Sequence, residues 1–281
     1  MSAAAPSPGD HPSAEAARSA VRREQSRGVV LAARGLVKVF GGVRAVDDVS
    51  FDVAAGERVA LIGPNGAGKT TCFNLLNGQL VPDAGAVLLA GSPIGGFAPQ
   101  AIARLGVGRT FQVAATFPSM TVRENVMLAR LASVRQDGAL LDTGMNTALA
   151  GADALLQRVG CQDLAMRHCA TLAYGDAKRV ELALALSGSP RLLLMDEPTA
   201  GMAPDARAQL MQIASNIARE DDIAMLFTEH DMDVVFGFAD RILVLDRGQL
   251  IAAGTPAEVR ANARVQAVYL GEDVPLLVPL L

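Results

Sequence analysis

Residues 63–71 read Gly-Pro-Asn-Gly-Ala-Gly-Lys-Thr-Thr, which fits the pattern G-x-x-x-x-G-K-[ST]. Gly63, Gly66 and Gly68 free the backbone to turn its N–H groups inward onto phosphate oxygens. A helix N-terminus behind the loop adds positive potential. Pro64, Asn65, Ala67 and Thr71 complete that cradle. Lys69 can reach β- and γ-phosphates, and the Thr70 hydroxyl can ligate Mg2+. Only three of the 25 basic residues are lysines (Lys38, Lys69 and Lys178). In a chain that uses arginine by default, a lysine at this position is not incidental.

A second candidate is the carboxylate pair Asp196 and Glu197, which ends the apolar run Leu192–Met195. A carboxylate there can face a phosphate loop and hold Mg2+ through water. Its neighbour can accept a proton from an attacking water or orient it. Alone, the pair reads as a strand end before a turn, which Pro198 favours. Beside the phosphate loop, the catalytic reading prevails. Gln112, in Arg-Thr-Phe-Gln, and His230, in Thr-Glu-His-Asp, are each weak by residue type alone.

The elements that must position these groups are legible in the hydrophobic pattern. Alternation predicts half-buried strands over 29–40 and 49–53, and residues 58–62 form a more continuously apolar strand running into the glycine loop. A helix follows over 72–76, and a further strand over 86–90. Helical periodicity then dominates between about 99 and 187, over 122–131, 146–159 and 178–186. Strand–helix alternation returns after 192, with strands over 192–195, 223–228 and 242–246 and helices over 204–219 and 232–238. Such alternation marks a parallel sheet covered by helices. The expected architecture is an α/β core with a mainly helical insert.

Composition narrows the classes of function. At 281 residues the chain can bury a large core. Hydrophobic residues make up 51%, yet no apolar run approaches the roughly 20 residues a membrane span needs. A membrane role would therefore come through a partner. The net charge of -4, without a basic block, argues against nucleic acid as the main ligand. Cys72, Cys161 and Cys169 lack metal-ligand spacing, which fits a reduced compartment. Residues 1–28, rich in Ala, Ser, Pro and Arg, read as a disordered leader.

The order of the candidate residues is more specific than any one of them. The phosphate loop, Gln112, the turn Leu172-Ala-Tyr-Gly-Asp176, Asp196-Glu197 and His230 follow one another as in the ABC ATPases, and the chain resembles that family from about Val29 to Gly271. The resemblance implies an α/β P-loop NTPase (RecA-like) core with an N-terminal antiparallel β subdomain and an inserted α-helical subdomain. It implies an ATPase domain over 29–273, the insert at about 99–187, and an apolar tail at 274–281. It also implies head-to-tail pairing around two ATP molecules, with Ala173, Tyr174, Gly175 and Asp176 of one chain facing the phosphate loop of the other. Gln112 would ligate Mg2+ with Thr70 and Asp196, Glu197 would act as base, and His230 would contact the γ-phosphate beside Lys69. Phe40 would stack on adenine; as a plain sequence position it reads equally as a core strand residue. Residues 200–205 occupy the place of the loop that crosses the dimer interface. The turn departs from the family's common Leu-Ser-Gly-Gly-Gln form, because Ala173 has no hydroxyl, Tyr174 replaces a glycine and Asp176 replaces the glutamine. Anchoring of nucleotide there is expected to rest on backbone N–H groups.

Finer features resemble the ATPase subunits of branched-chain amino acid importers. These are Phe-Gly-Gly-Val-Arg-Ala-Val at 40–46, Gly-Arg-Thr-Phe-Gln at 108–112, Met-Thr-Val-Arg-Glu-Asn at 120–125, the turn itself, and Val-Tyr-Leu-Gly-Glu-Asp at 268–273. The resemblance implies integral membrane permease subunits, a second ABC ATPase subunit (identical or related), and indirectly a periplasmic substrate-binding protein. It places the chain at the cytoplasmic face of a bacterial inner membrane. The stretch from Gln112 to about Leu131 would offer the permease a groove, lined by Phe117, Met120, Val122 and Val126, unless these form a buried face of the insert. Alternative readings are a soluble ABC ATPase uncoupled from transport, or the ATPase of a urea or amide importer or a lipid-export system.

Overall fold

The computed structural model of the protein describes residues 28–110, 116–134 and 141–269. The chain opens with β1 (Val29–Phe40) and β2 (Val43–Ala54), followed by β3 (Arg58–Ile62), α1 (Lys69–Leu76), β4 (Ala84–Leu89), β5 (Ser92–Pro93), α2 (Pro99–Arg104) and β6 (Val107–Thr110). Next come α3 (Val122–Val134), α4 (Leu141–Arg158), two short 3-10 turns and α5 (Tyr174–Leu186). The last third holds β7 (Leu192–Asp196), α6 (Pro204–Glu220), β8 (Ala224–Thr228), α7 (Met232–Phe238), β9 (Arg241–Asp246), β10 (Gln249–Gly254), α8 (Pro256–Ala261) and α9 (Ala263–Tyr269).

Two sheets result. The first is antiparallel in the order β2-β1-β4-β5, and the second runs β10-β9-β3-β8-β7-β6. Within the second, β9, β3, β8, β7 and β6 are parallel neighbours, and β10 closes the edge antiparallel to β9. β7 and β8 are buried at every residue, as strands covered on both faces must be. Successive side chains of a strand point to opposite faces, and here that alternation divides the interior into two cores. Val59, Leu61, Leu192, Leu194, Leu243 and Leu245 face the antiparallel sheet. Ala60, Ile62, Leu193, Met195, Ile242 and Val244 face the helices of the second half.

α1 lies in the core shared by the two sheets, where Cys72, Phe73, Leu75 and Leu76 are buried among Leu31, Leu36 and Val87. The helix behind the glycine loop is therefore clamped from both sides. Burial also pushes the Cys72 thiol up to about 12 and the Cys161 thiol to about 11, so neither is a thiolate at neutral pH.

The helical part differs in extent from expectation. Pro99 was the expected start of the insert, but β6 pairs in register with β7, from Val107 opposite Leu192 to Thr110 opposite Met195. The core sheet therefore extends into that range, because a four-residue strand is too short to show a period of two. Beyond it, α3 and α4 are joined by Arg123, which binds both carboxylate oxygens of Asp153 at 2.8 and 3.0 Å. Thr121 and Glu124 form a reciprocal cap at the start of α3, with bonds of 2.7 and 3.2 Å. The expected leader at 1–28 lies outside the described residues except for Gly28, as does the tail at 274–281. Among the described residues no helix is long and apolar enough to cross a membrane.

α5 packs on β6 through Gly108. A Cβ at this position would stand 2.4 Å from the Ala185 carbonyl oxygen and 3.1 Å from Pro190 Cγ. Gly108→Ala is expected to lower the unfolding free energy by about 1–3 kcal/mol through overpacking, measured by urea denaturation.

Candidate functional site

The glycine loop is shaped by close contacts at its two ends and open space at its crest. A Cβ on Gly63 would stand 2.2 Å from the Leu245 carbonyl oxygen, and one on Gly68 would stand 2.2 Å from that of Ala45. Gly66, with φ +78°, has no atom within 4 Å of where a Cβ would be. Neighbouring strands thus press the loop inward, while its crest faces outward. The turn after β9 holds it there, since Gly248 donates to the Ala67 carbonyl at 3.0 Å and Asp47 donates to that of Gly248 at 2.8 Å. Lys69 Nζ donates to the carbonyls of Gly63 at 2.6 Å and Pro64 at 3.1 Å. Its ammonium is held inside the curl. Thr70 is exposed at the start of α1.

The carboxylates sit at the same end of the sheet. Leu61, two residues before Gly63, pairs with Thr228, and Thr228 pairs with Asp196. Two strand spacings, about 10 Å, separate Asp196 from the strand that feeds the loop. The buried Thr228 hydroxyl donates to Asp196 Oδ1 at 2.7 Å and accepts from the Glu197 backbone N–H at 3.0 Å. Glu197 is left-handed, with φ +47°, a conformation that costs a non-glycine residue about 1–3 kcal/mol. That turn aims its carboxylate outward, where Oε1 meets His230 Nε2 at 2.8 Å. A base and a γ-phosphate ligand predicted separately are therefore in direct contact.

Three further residues support this edge. Arg109 lies 3.9 Å from Asp196 Oδ2; burial lowers its pKa and the Asp196 charge opposes that. Glu229 accepts from the Thr199 N–H at 2.9 Å, the Thr199 hydroxyl at 2.7 Å and the His230 N–H at 3.3 Å. Burial pushes its carboxyl above the ordinary range, and those bonds oppose the shift. Residue type singled out none of these three; Thr199 and Glu229 could be marked only by standing beside Pro198 and His230, and Arg109 only by the Gly-Arg-Thr-Phe-Gln segment at 108–112. Among the described residues no three His, Cys, Asp or Glu side chains gather as a metal cluster. Oxygen ligands as sparse as Thr70 and Asp196 suit a cation that keeps water and phosphate in its shell.

Phe40 ends β1 with 47% of its surface exposed, and Lys38 Nζ lies 5.6 Å from its ring centre. The core reading is excluded by that exposure, and the ring is free to take a planar group. Gln112 lies outside the described residues.

The turn Leu172–Asp176 begins α5. Ala173 is its N-cap, without a side-chain hydrogen bond, so the first-turn N–H groups receive no cap from this residue. Asp176 would place a negative charge there, but Arg179 Nη2 pairs with it at 2.5 Å. Tyr174 is half exposed, and its hydroxyl donates to the Ala200 carbonyl at 2.9 Å.

A groove of about 590 Å³ opens between α2, β6, α3 and α5. Phe117 lines it, as expected, and is 56% exposed. Val122 and Val126 do not, because both are fully buried in the helical core. The groove wall is instead the adjacent face of α3, with Asn125, Leu128, Ala129 and Ala132 at the i, i+3, i+4, i+7 spacing of one helix side. Met120, partly buried, is not among the lining residues. Asn125 fixes the rim by bonding to the Phe117 N–H at 2.7 Å and carbonyl at 3.1 Å.

Comparison with known proteins agrees with this geometry. The family model "ABC transporter" matches residues 46–200, and "Branched-chain amino acid ATP-binding cassette transporter" matches 249–275. The high-affinity branched-chain amino acid transport ATP-binding protein LivG of Salmonella typhimurium is 40% identical over 250 residues, 86% of this chain and 98% of that one. The lipopolysaccharide export system ATP-binding protein LptB of Escherichia coli is 34% identical over 246 residues, 88% and 99% of the two chains. An ATP-binding cassette of an ABC transporter, solved in its ADP conformation, superposes with a TM-score of 0.75 at 29% identity, covering 87% of this chain and 99% of that one.

The uncapped α5 terminus yields a prediction. Ala173→Ser supplies an N-cap worth about 1 kcal/mol to the helix and a hydroxyl able to reach phosphate. Its unfolding free energy is expected to rise and its ATP concentration for half-maximal hydrolysis to fall. Unchanged kinetics would remove position 173 from the nucleotide site.

Proposed function

The chain belongs to the ABC transporter family of ATPases, and from that membership we propose that it is the ATP-hydrolysing subunit of a branched-chain amino acid importer, driving a separate permease through ATP-dependent pairing. The observation that carries the catalytic part is the 2.8 Å contact between Glu197 and His230, at the strand edge that also holds Asp196 and feeds the glycine loop. The match at 249–275 and the 40% identity to LivG support the substrate class. The 34% identity to LptB keeps a lipid-export ATPase as the second reading.

In the proposed site, backbone N–H groups of 63–71 and Lys69 bind the phosphates, and Phe40 stacks on the base. Thr70 and Asp196, with Gln112, hold Mg2+. That ion neutralises charge on the β- and γ-phosphates when bound. Glu197 orients the attacking water and takes its proton. His230, held by Glu197, contacts the γ-phosphate, so the base and the group sensing the phosphate are positioned together. Residues 173–176 of a partner chain, whether a second copy or a related ATPase, close the site through backbone N–H groups. The chain would sit peripherally at the cytoplasmic face of a bacterial inner membrane. Its groove beside Phe117 and Leu128 would receive a cytoplasmic helix of the permease, with the periplasmic binding protein acting from the far side.

Glu197→Gln keeps the side chain's shape and removes its basicity. It is expected to bind ATP as the native protein does, to lose hydrolysis by about 100-fold or more, and to accumulate a closed pair on ATP addition. Size-exclusion chromatography with a phosphate-release assay reads both, and normal turnover would sink the assignment of Glu197. For the groove, cysteine at Leu128 is expected to crosslink to a membrane subunit in the assembled complex. Cysteine at Met166, 71% exposed elsewhere on the helical part, serves as the control; equal crosslinking from both would count against docking in the groove.

A further inference from the structure

The loop Ala200–Ala203 lies between two parts of the site that serve different nucleotides under the proposed pairing. Its backbone is held at two carbonyls. Tyr174 Oη donates to the Ala200 carbonyl at 2.9 Å, and Arg207 Nε donates to the Met202 carbonyl at 2.7 Å. Between them Gly201, with φ +76°, lies beside the Tyr174 ring; a Cβ there would be 3.7 Å from Cε1.

Each anchor reaches further. The Tyr174 ring has Lys178 Nζ 5.6 Å from its centre, and Lys178 is itself fixed by Glu181 at 3.0 Å. The ring is thus in contact with a cation as well as with the loop. Arg207 Nη1 also pairs with Asp231 at 2.5 Å. Asp231 follows His230 and caps α7 by accepting from the N–H groups of Asp233 and Val234. A continuous polar chain thus runs from the turn at 174, through the loop, to the residue after His230. A glycine at position 174 could make none of the first contacts, so the departure of this turn from the common form creates the link.

We propose that Tyr174 and Arg207 are positioning residues that bind the loop Ala200–Ala203 to the Leu172–Asp176 turn on one side and to the His230 segment on the other, so that all three move as one unit. The proposal rests on the pairing reading for its consequence. The turn caps the partner's nucleotide and His230 attends this chain's own, so engagement at one site sets the geometry at the other.

Two measurements test it. In the isolated chain, Tyr174→Phe keeps the ring and removes only the hydroxyl. Hydrogen exchange is expected to quicken about three- to tenfold in peptides covering both 199–203 and 229–234. Arg207→Ala is expected to do the same. Exchange that is unchanged, or quickened only beside the altered side chain, overturns the proposal. In steady-state ATP hydrolysis each variant is expected to lower kcat about three- to tenfold, and the double variant no further than the worse single one. Effects that multiply would show independent contacts and overturn the linkage. Failure of the native protein to hydrolyse ATP would instead overturn the pairing reading, and the exchange result would still decide whether the unit exists.

Discussion

One buried hydroxyl organises the catalytic edge. Thr228 ends β8 between the strand that feeds the glycine loop and the strand that ends in Asp196. Its oxygen donates to the Asp196 carboxylate and accepts from the Glu197 N–H. The first bond fixes a carboxylate that is only 5% exposed. The second helps hold Glu197 in a left-handed conformation that a residue with a side chain otherwise avoids. The strain is local, and its result is that two adjacent carboxylates meet different partners, Asp196 with Thr228 and Glu197 with His230. Without that turn, strict alternation along a strand would send Glu197 to the opposite face.

The remaining architecture serves to keep that edge in register with the glycine loop. Parallel strands β3, β8 and β7 end together, and their alternate side chains fill two separate cores. One core grips α1 between the sheets and so fixes the origin of the loop. The other carries the helical part, on which the Leu172–Asp176 turn and the Phe117 groove sit at separate places. α5 joins these regions, since its N-terminus carries the turn while Glu181 and Leu184 line the groove. The turn and the groove are therefore two ends of one helix.

Much of the site was legible because its chemistry depends on contiguous residues. Gly63–Thr71 and Asp196-Glu197 each lie within one loop or one strand end, so pattern and spacing suffice. The buried strands β3, β7 and β8 were legible for a similar reason: an apolar run of four or five residues that ends abruptly on both sides has few other readings. What failed depended on neighbours distant in sequence. Val122 and Val126 have the residue types of a docking face, yet packing of α4 and α5 on that side buries them. β6 is four residues long and is a strand only because β7 lies beside it. Thr228, Glu229 and Arg207 are ordinary in type, and only their partners give them roles. The strand pattern alone left Phe40 open to a core reading, which its exposure at the end of β1 removed.

The sequence by itself determined the kind of chemistry, the order of the motifs and the alternation of strands and helices, because these follow from local spacing and from backbone preferences. It also determined that Ala173 offers no hydroxyl and that a tyrosine stands where the common form has glycine. Only the tertiary structure decided what those departures mean. Ala173 leaves a helix N-terminus open, and Tyr174 reaches 26 residues along the chain to hold the Ala200 carbonyl. A hydrogen bond between residues that far apart exists only after both are placed by the cores beneath them, so no reading of spacing could contain it.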